Sequence, residues 1–130
     1  LKRLKVTCAV IEKEGLFLAV QRSTIMPLPL KWEFPGGKIE ESESEENALV
    51  REIEEELSLK ISLVARLNPV THDYEDSQIL LVPFLAKIES GHLTLLEHQS
   101  YKWLAHSELL TLDWADADLP VAREVHQKFS

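Results

Sequence analysis

Cysteine is almost missing from this chain: Cys8 is the single one among 130 residues, which excludes an internal disulfide and a cysteine-based zinc site. Cys8 lies in an apolar run and reads as a small core residue. Long hydrophobic runs are missing too. The longest, residues 79–86, is interrupted by Pro83 and is far too short to cross a bilayer. No basic-then-apolar leader is visible, and the start at Leu1 rather than Met is expected to reflect a trimmed N-terminus. Repeats, low-complexity tracts and linkers are absent. Positive charge is scarce: 14 Lys and Arg stand against 22 Asp and Glu, for a net charge of −8. A general nucleic-acid binder needs a basic track to replace counterions, so that class is disfavoured. The same acidity opposes direct binding of a polyphosphate, unless metal ions sit between the acidic residues and the phosphates.

What remains is an ordinary apolar fraction, 45%, and a length that fits one domain over residues 1–130 with room for a core. Residues 4–11 and 16–22 read as two strands of a hairpin, joined at Glu12-Lys13-Glu14-Gly15. The apolar density around Val6 to Ile11 predicts burial on both faces of the first. A proline-bearing loop, 23–31, leads to Trp32-Glu33-Phe34 and a Pro35-Gly36-Gly37 turn signal, and 38–40 is expected as a short strand. Further strands are expected over 60–68, 78–87, 92–96 and 101–104. The first of these continues at an edge through 72–74, and Pro83 marks an edge or bulge in the second. A short helix is expected over 107–110, and a terminal one over 118–129 with Asp118 as N-cap and Pro120 in its first turn. The class is α/β.

Between Gly37 and Leu59 runs the densest charge pattern. Ser42 or Ser44 can cap a helix there, with glutamate in its first turn. Ala48, Leu49, Ile53 and Leu57 recur at helical spacing, so one face packs on a core. Glu52, Glu55 and Glu56 occupy neighbouring points of one stripe, with Arg51 as the nearby cation and Glu54 facing solvent. A generic glutamate-rich helix would make this a solvated face. Here like charges four residues apart each cost a few tenths of a kcal/mol, roughly. A hard divalent cation reverses that sign, because oxygen-only ligands suit Mg²⁺ or Mn²⁺.

Gly37, Glu43 and Arg51-Glu52-Ile53-Glu54-Glu55-Glu56-Leu57-Ser58-Leu59, at this spacing, resemble the Nudix box, with Ser58 where a glycine is usual. Gln21-Arg22, residues 32–40, Glu97-His98-Gln99 and Trp103 look like the MutT-like branch of that family. Residues 112–120 are similar to the bacterial CTP pyrophosphohydrolases within it. The resemblance implies a Nudix-type α/β/α sandwich with a mixed β-sheet, the box forming loop-helix-loop. It implies Mg²⁺, with Mn²⁺ substituting, held by Glu52, Glu55 and Glu56, the Gly37 carbonyl and Glu97. One of Glu52, Glu55 or Glu97 takes the proton from the attacking water. Arg51 braces the motif by pairing with a box glutamate such as Glu43, so both are structural.

The implied reaction converts a nucleoside triphosphate to a monophosphate and pyrophosphate, in the cytoplasm, as a monomer or homodimer, with no nucleic-acid polymer or membrane as partner. Arg22, Glu33, Phe34, Lys38 and Asp118 are the candidate substrate contacts. Asp118 bears on base choice, because the matching position in 8-oxoguanine-cleaning relatives looks like Asn. An ionised Asp only accepts, which favours a base presenting an amine, as cytosine does. Glu33 is a second acceptor or shares a proton with Asp118. Trp32 and Phe34 also read as core, with stacking open to Phe34 or Tyr74. His72 and His98 read as structural or substrate-side. CTP, dCTP or modified cytosine nucleotides lead, 8-oxo-dGTP is the alternative, and a non-catalytic nucleotide sensor is a third.

Overall fold

The structure, a computed structural model, describes residues 2–129, so the expectation attached to Leu1 lies outside the described residues. Eight strands form a mixed sheet: β1 (Lys2–Lys13), β2 (Leu16–Gln21), β3 (Trp32–Glu33), β4 (Gly36–Lys38), β5 (Leu59–Arg66), β6 (Val70–Asp73), β7 (Ser77–Gly91) and β8 (Ser100–Leu104). Two α-helices join them, α1 (Glu45–Leu57) and α2 (Leu119–Lys128), together with a 3₁₀ turn at His106–Thr111. The strand path runs β3-β2-β1-β7-β5, with β4 on β1, β6 on β7 and β8 on β2.

Burial on both faces explains the apolar run in β1. Cys8 and Val10 join one core with Phe17, Ala19, Val121, Ala122 and Val125, which α2 covers. Ala9 and Ile11 join a second core with Leu18, Val20, Leu49, Ile53 and Leu57, which α1 covers. Each fully buried large aliphatic contributes about 1.5–3 kcal/mol of transfer free energy. The sheet is therefore sandwiched between helical layers, as expected.

Several local expectations are corrected. The hairpin exists only at its tip, where Glu12 faces Phe17 and Lys13 faces Leu16. Most of β1 instead pairs in parallel with β7, from Lys2↔Ser77 to Ile11↔Ala86. Pro83 is in the middle of that central strand and faces Cys8. On its other side the antiparallel partner changes from β5, ending at Arg66↔Phe84, to β6, starting at Val70↔Leu81. A missing N–H costs least at such a break. Residues 70–73 are thus a strand of their own. Residues 92–96 form no strand. They strap the end of α1, where the amides of Thr94 and Leu96 donate to the carbonyls of Leu57 and Glu56. Helix carbonyls left without partners explain the pull.

Candidate active site

Helix α1 starts at Ser44, whose hydroxyl accepts the Asn47 amide at 3.0 Å. It ends at Ser58, which is left-handed at φ 56°, ψ 32°. Between the caps the helix turns Leu49, Ile53 and Leu57 to the core and takes Glu56 with them: only 9% of Glu56 is exposed. Its Oε2 is buried without a hydrogen-bond partner. Burial pushes the Glu56 carboxyl up to about 9, helped by the charges of Glu97, Glu52 and Glu33. Glu52, half-buried, is also raised, by burial first, with Arg51 pulling against it.

Gly36 and Gly37 do not form the turn expected of them. They lie in β4, opposite Cys8 and Thr7 of β1, and neither has a positive φ. Their missing Cβ atoms serve close approach instead. A Cβ on Gly37 would fall 2.3 Å from the Glu52 carboxylate carbon, and one on Gly36 would fall 2.0 Å from the Thr7 carbonyl oxygen. The glycine pair thus brings the Gly37 backbone against Glu52.

Arg51 binds more of the motif than the single expected partner. Its Nε and Nη2 fork onto Glu43 at 2.7 and 2.8 Å, and Nη1 reaches Glu52 at 3.1 Å and Glu55 at 3.2 Å. Nη2 also donates to the Lys38 carbonyl. The fork holds Glu43 well below the usual carboxylate range, at about 2. Among the described residues no three acidic, histidine or cysteine side chains converge as a ready-made cation cage. Glu52 and Glu55 turn to Arg51, Glu55 mostly exposed, while Glu56 and Glu97 line a cavity with Gly37. The donor set nevertheless fits a hard divalent cation: carboxylate and carbonyl oxygens, one of them a buried oxygen with no partner, beside a backbone cradle that a Cβ would fill.

That cavity, about 370 Å³, is also lined by Arg22, Glu33, Phe34, His98 and Asp118. A second, about 670 Å³, shares Arg22, Glu33 and Asp118 with it, so the two adjoin. Lys38 lines the second, which is walled by Leu4, Val6, Ile79, Leu81, Tyr74 and Ala117. An acidic chamber and a largely apolar one therefore meet at two carboxyl groups and a guanidinium.

Here the structure departs from sequence in three ways. Asp118 occupies the N-cap position of α2 but its side chain does not cap the helix. It turns inward, and Oδ2 accepts the Phe34 amide at 2.9 Å. Burial, and then the Glu33 charge, push its carboxyl well above the usual range, so the ionised form assumed from sequence is disfavoured. Glu33 does not pair with Asp118. Its Oε1 takes Arg22 Nη1 and its Oε2 faces His98 Nε2, both at 2.7 Å. Arg22 is thereby committed to Glu33 and to the Pro27 carbonyl. Phe34 lines the first cavity, but its ring is stacked on Trp114 in the core, with centroids 4.6 Å apart. Its exposure is 2%, which leaves no face for a base.

The apolar wall from β1 and β7 went unnoticed in the sequence. Its signal was alternation: Leu4 and Val6 point one way along β1, and Ile79 and Leu81 face them across the parallel ladder. The His98–Glu33 pair left no signal, because it joins a loop to a two-residue strand.

Known proteins bear on this arrangement. The chain is 34% identical to CTP pyrophosphohydrolase of Escherichia coli K12 over 123 residues, covering 93% of this chain and 90% of that one. It is 36% identical to 8-oxo-dGTP diphosphatase of Proteus vulgaris over 94 residues, 72% of this chain and 84% of that one. The solution structure of MutT, a Nudix hydrolase from methicillin-resistant Staphylococcus aureus 252, matches with a TM-score of 0.80 at 37% identity, covering 98% of both chains. The NUDIX domain family model matches residues 1–125. The box, the sandwich and these matches agree, and the chain belongs to the Nudix family of pyrophosphohydrolases.

Proposed function

We propose that this chain, as a single domain over residues 1–130, hydrolyses nucleoside triphosphates to monophosphate and pyrophosphate with Mg²⁺, Mn²⁺ substituting, and that cytosine nucleotides are preferred. The observation that carries the catalytic half is Glu56, a carboxyl buried beside Glu97 and the Gly37 cradle with one oxygen unsatisfied. Glu52, Glu55, Glu56, Glu97 and the Gly37 carbonyl would hold the cation. A bound divalent cation supplies charge neutralisation on the phosphate oxygens and a water acidic enough to attack near neutral pH. Glu52, Glu55 and Glu97 remain the candidates to take that water's proton. Glu97 has the freest carboxylate, since Arg51 engages the other two. Arg51 orients Glu52 and Glu55 by bonding both through Nη1, and Lys38 at the rim of the second cavity meets phosphate.

Base choice falls to the shared wall. With Oδ2 of Asp118 accepting from Phe34, a neutral Asp118 carries its hydrogen on Oδ1 and donates. Glu33 accepts. A donor beside an acceptor matches cytosine, with N3 accepting from Asp118 and the N4 amine donating to Glu33. Uracil in that same pose puts O4 against Glu33 and N3–H against the Asp118 donor, and mismatches at both. CTP, dCTP and modified cytosine nucleotides follow as substrates, in nucleotide-pool sanitation within the cytoplasm, by a monomer or homodimer. Among the described residues no helix is long and apolar enough to cross a membrane.

One observation favours 8-oxo-dGTP as the second substrate. A neutral carboxylic acid both donates and accepts, as Asn does, so burial makes Asp118 resemble the residue expected in 8-oxoguanine-cleaning relatives. A panel of nucleotides with pyrophosphate detection and Mg²⁺ tests both. Release from CTP with a higher kcat/KM than from 8-oxo-dGTP is expected, and no hydrolysis of any nucleotide would overturn the proposal.

A further inference from the structure

We propose that His98 is a positioning residue for base selection: it fixes the acceptor that Glu33 presents to the base. The inference rests on the proposed role of Glu33 at the shared wall. Three observations support it. Glu33 stands on a two-residue strand, β3, which pairs with Val20 and Gln21 of β2 and, at Trp32, bridges to Trp114. Those bonds fix its backbone but not the end of its long side chain. Its carboxylate is instead gripped from two elements, Arg22 on Oε1 and His98 on Oε2, each at 2.7 Å. The His98 side chain is only 2% exposed, and its Nδ1 is buried with no partner.

The ring therefore sits in the interior for one polar contact. A buried imidazole that leaves one nitrogen unsatisfied loses water on both and regains a hydrogen bond on one. An Nε2–H donating to Glu33 leaves Nδ1 a bare lone pair, which costs less than a buried N–H without an acceptor. The loop around His98 is pinned on either side, by the Leu96 amide on the Glu56 carbonyl and the Gln99 amide on the Gln21 carbonyl. Those anchors hold the ring at a set distance from β3. Of the two grips on Glu33, Arg22 also lines both cavities, whereas His98 lines only the first. His98 thus grips Glu33 from the side of the first cavity and adds no group to the second.

Two variants separate donor from shape. His98→Phe keeps a flat ring and removes the donor, and His98→Gln keeps a donor and removes the ring. Wild type and both variants are titrated with CMP and UMP by calorimetry, without metal, after thermal melts confirm folding. The ratio of the two affinities is the readout, because a merely structural role would shift both ligands together. Loss of one hydrogen bond that orients a buried acceptor is expected to lower the ratio about tenfold in His98→Phe. His98→Gln is expected to stay within about threefold of wild type. A ratio unchanged in His98→Phe, or lost in His98→Gln but kept in His98→Phe, overturns the inference. Should His98→Phe fail to fold, His98→Gln alone decides, and a tenfold loss there overturns it. A wild type that favours UMP would sink the cytosine assignment and leave the His98 inference standing on the change in that ratio. A wild type that discriminates no base overturns both.

Discussion

Asp118 opens helix α2 yet spends its carboxylate on the Phe34 amide, 2.9 Å away and 84 residues back in the chain. The bond ties the start of α2 to the short connection between β3 and β4 that leads into Gly36 and Gly37. It also separates two consequences of mutation that a capping role would merge. Asp118→Asn keeps an oxygen for the Phe34 amide and replaces the acid's O–H with an amide N–H. Stability is expected to change by less than about 1 kcal/mol, and the ratio of kcat/KM for dCTP to that for 8-oxo-dGTP is expected to stay within about threefold, because the amide N–H donates where the acid's O–H did. Asp118→Ala strands a buried N–H and is expected to cost about 1–3 kcal/mol in chemical denaturation. An Asn variant whose ratio moves about tenfold toward 8-oxo-dGTP would show that Asp118 meets the base as an ionised acceptor and not as a donor.

Glu56 makes the metal-free protein sensitive to alkali. Its carboxyl is near 4.5 when unfolded and pushed up to about 9 in the fold. The folded state therefore holds a proton that the unfolded state has released. Stability falls as pH rises from about 4.5 towards about 9, and the loss is complete above that. Asp118, also raised by burial, acts in the same direction. Glu43 acts oppositely in a lower window: it is depressed to about 2, so its contribution is present above 4.5 and is lost as pH falls through 2. Thermal melts in chelator should show the alkaline decline, and Mg²⁺ should flatten it by binding the ionised form. Glu56→Gln should remove most of the decline and abolish turnover. If the Gln variant keeps the wild-type slope, Glu56 is not the group responsible.

The sequence displayed the carboxylate set because it is written locally; the sandwich came from the resemblance to the Nudix family, since local pattern alone reaches no further than the α/β class. Ala48, Leu49, Ile53 and Leu57 repeat at helical spacing, and Arg51 to Leu59 is one unbroken motif. What stayed hidden was non-local. The partner of Asp118 lies 84 residues away and that of Glu33 65 residues away, and no periodicity encodes either. The parallel pairing of β1 with β7 was likewise hidden, because the short turn at Glu14-Gly15 favours the adjacent strand by proximity alone. Residues 92–96 alternate like a strand, but the unpaired carbonyls at the end of α1 recruited their amides.

Ser58 holds a left-handed conformation that most L-residues resist, at a cost of roughly 1–2 kcal/mol. Ser58→Gly should relieve that strain, less the extra entropy glycine brings to the unfolded chain, for a gain of about 0.5–1 kcal/mol. A rise of a few degrees in Tm with kcat unaltered is expected. Gly91 is the counterpart. Its φ is +100°, and a Cβ there would fall 2.5 Å from the Ser58 carbonyl oxygen. Gly91→Ala should therefore lower Tm where Ser58→Gly raises it, and equal shifts in one direction would contradict the geometry.

The two glycines of β4 differ in what stands against them, and the difference is testable. A methyl on Gly36 meets backbone, the Thr7 carbonyl oxygen at 2.0 Å and the Cys8 Cα at 2.7 Å. Neither can move without parting β4 from β1, so Gly36→Ala should destabilise by several kcal/mol, of the order seen for overpacked cores. A methyl on Gly37 meets the end of the Glu52 side chain first. That carboxylate can swing away by rotating about its own χ angles, so the fold should survive with a loss of about 1 kcal/mol or less. Swinging away, however, takes Glu52 from Arg51 and from the cradle. Gly37→Ala is thus expected to keep a cooperative melt and lose two or more decades of kcat, because a displacement of about 1 Å at a catalytic group has that effect. Circular dichroism melts beside pyrophosphate release read the two effects separately. A Gly37→Ala protein that melts like wild type and also turns over like wild type would show that Glu52 does not need this backbone beside it.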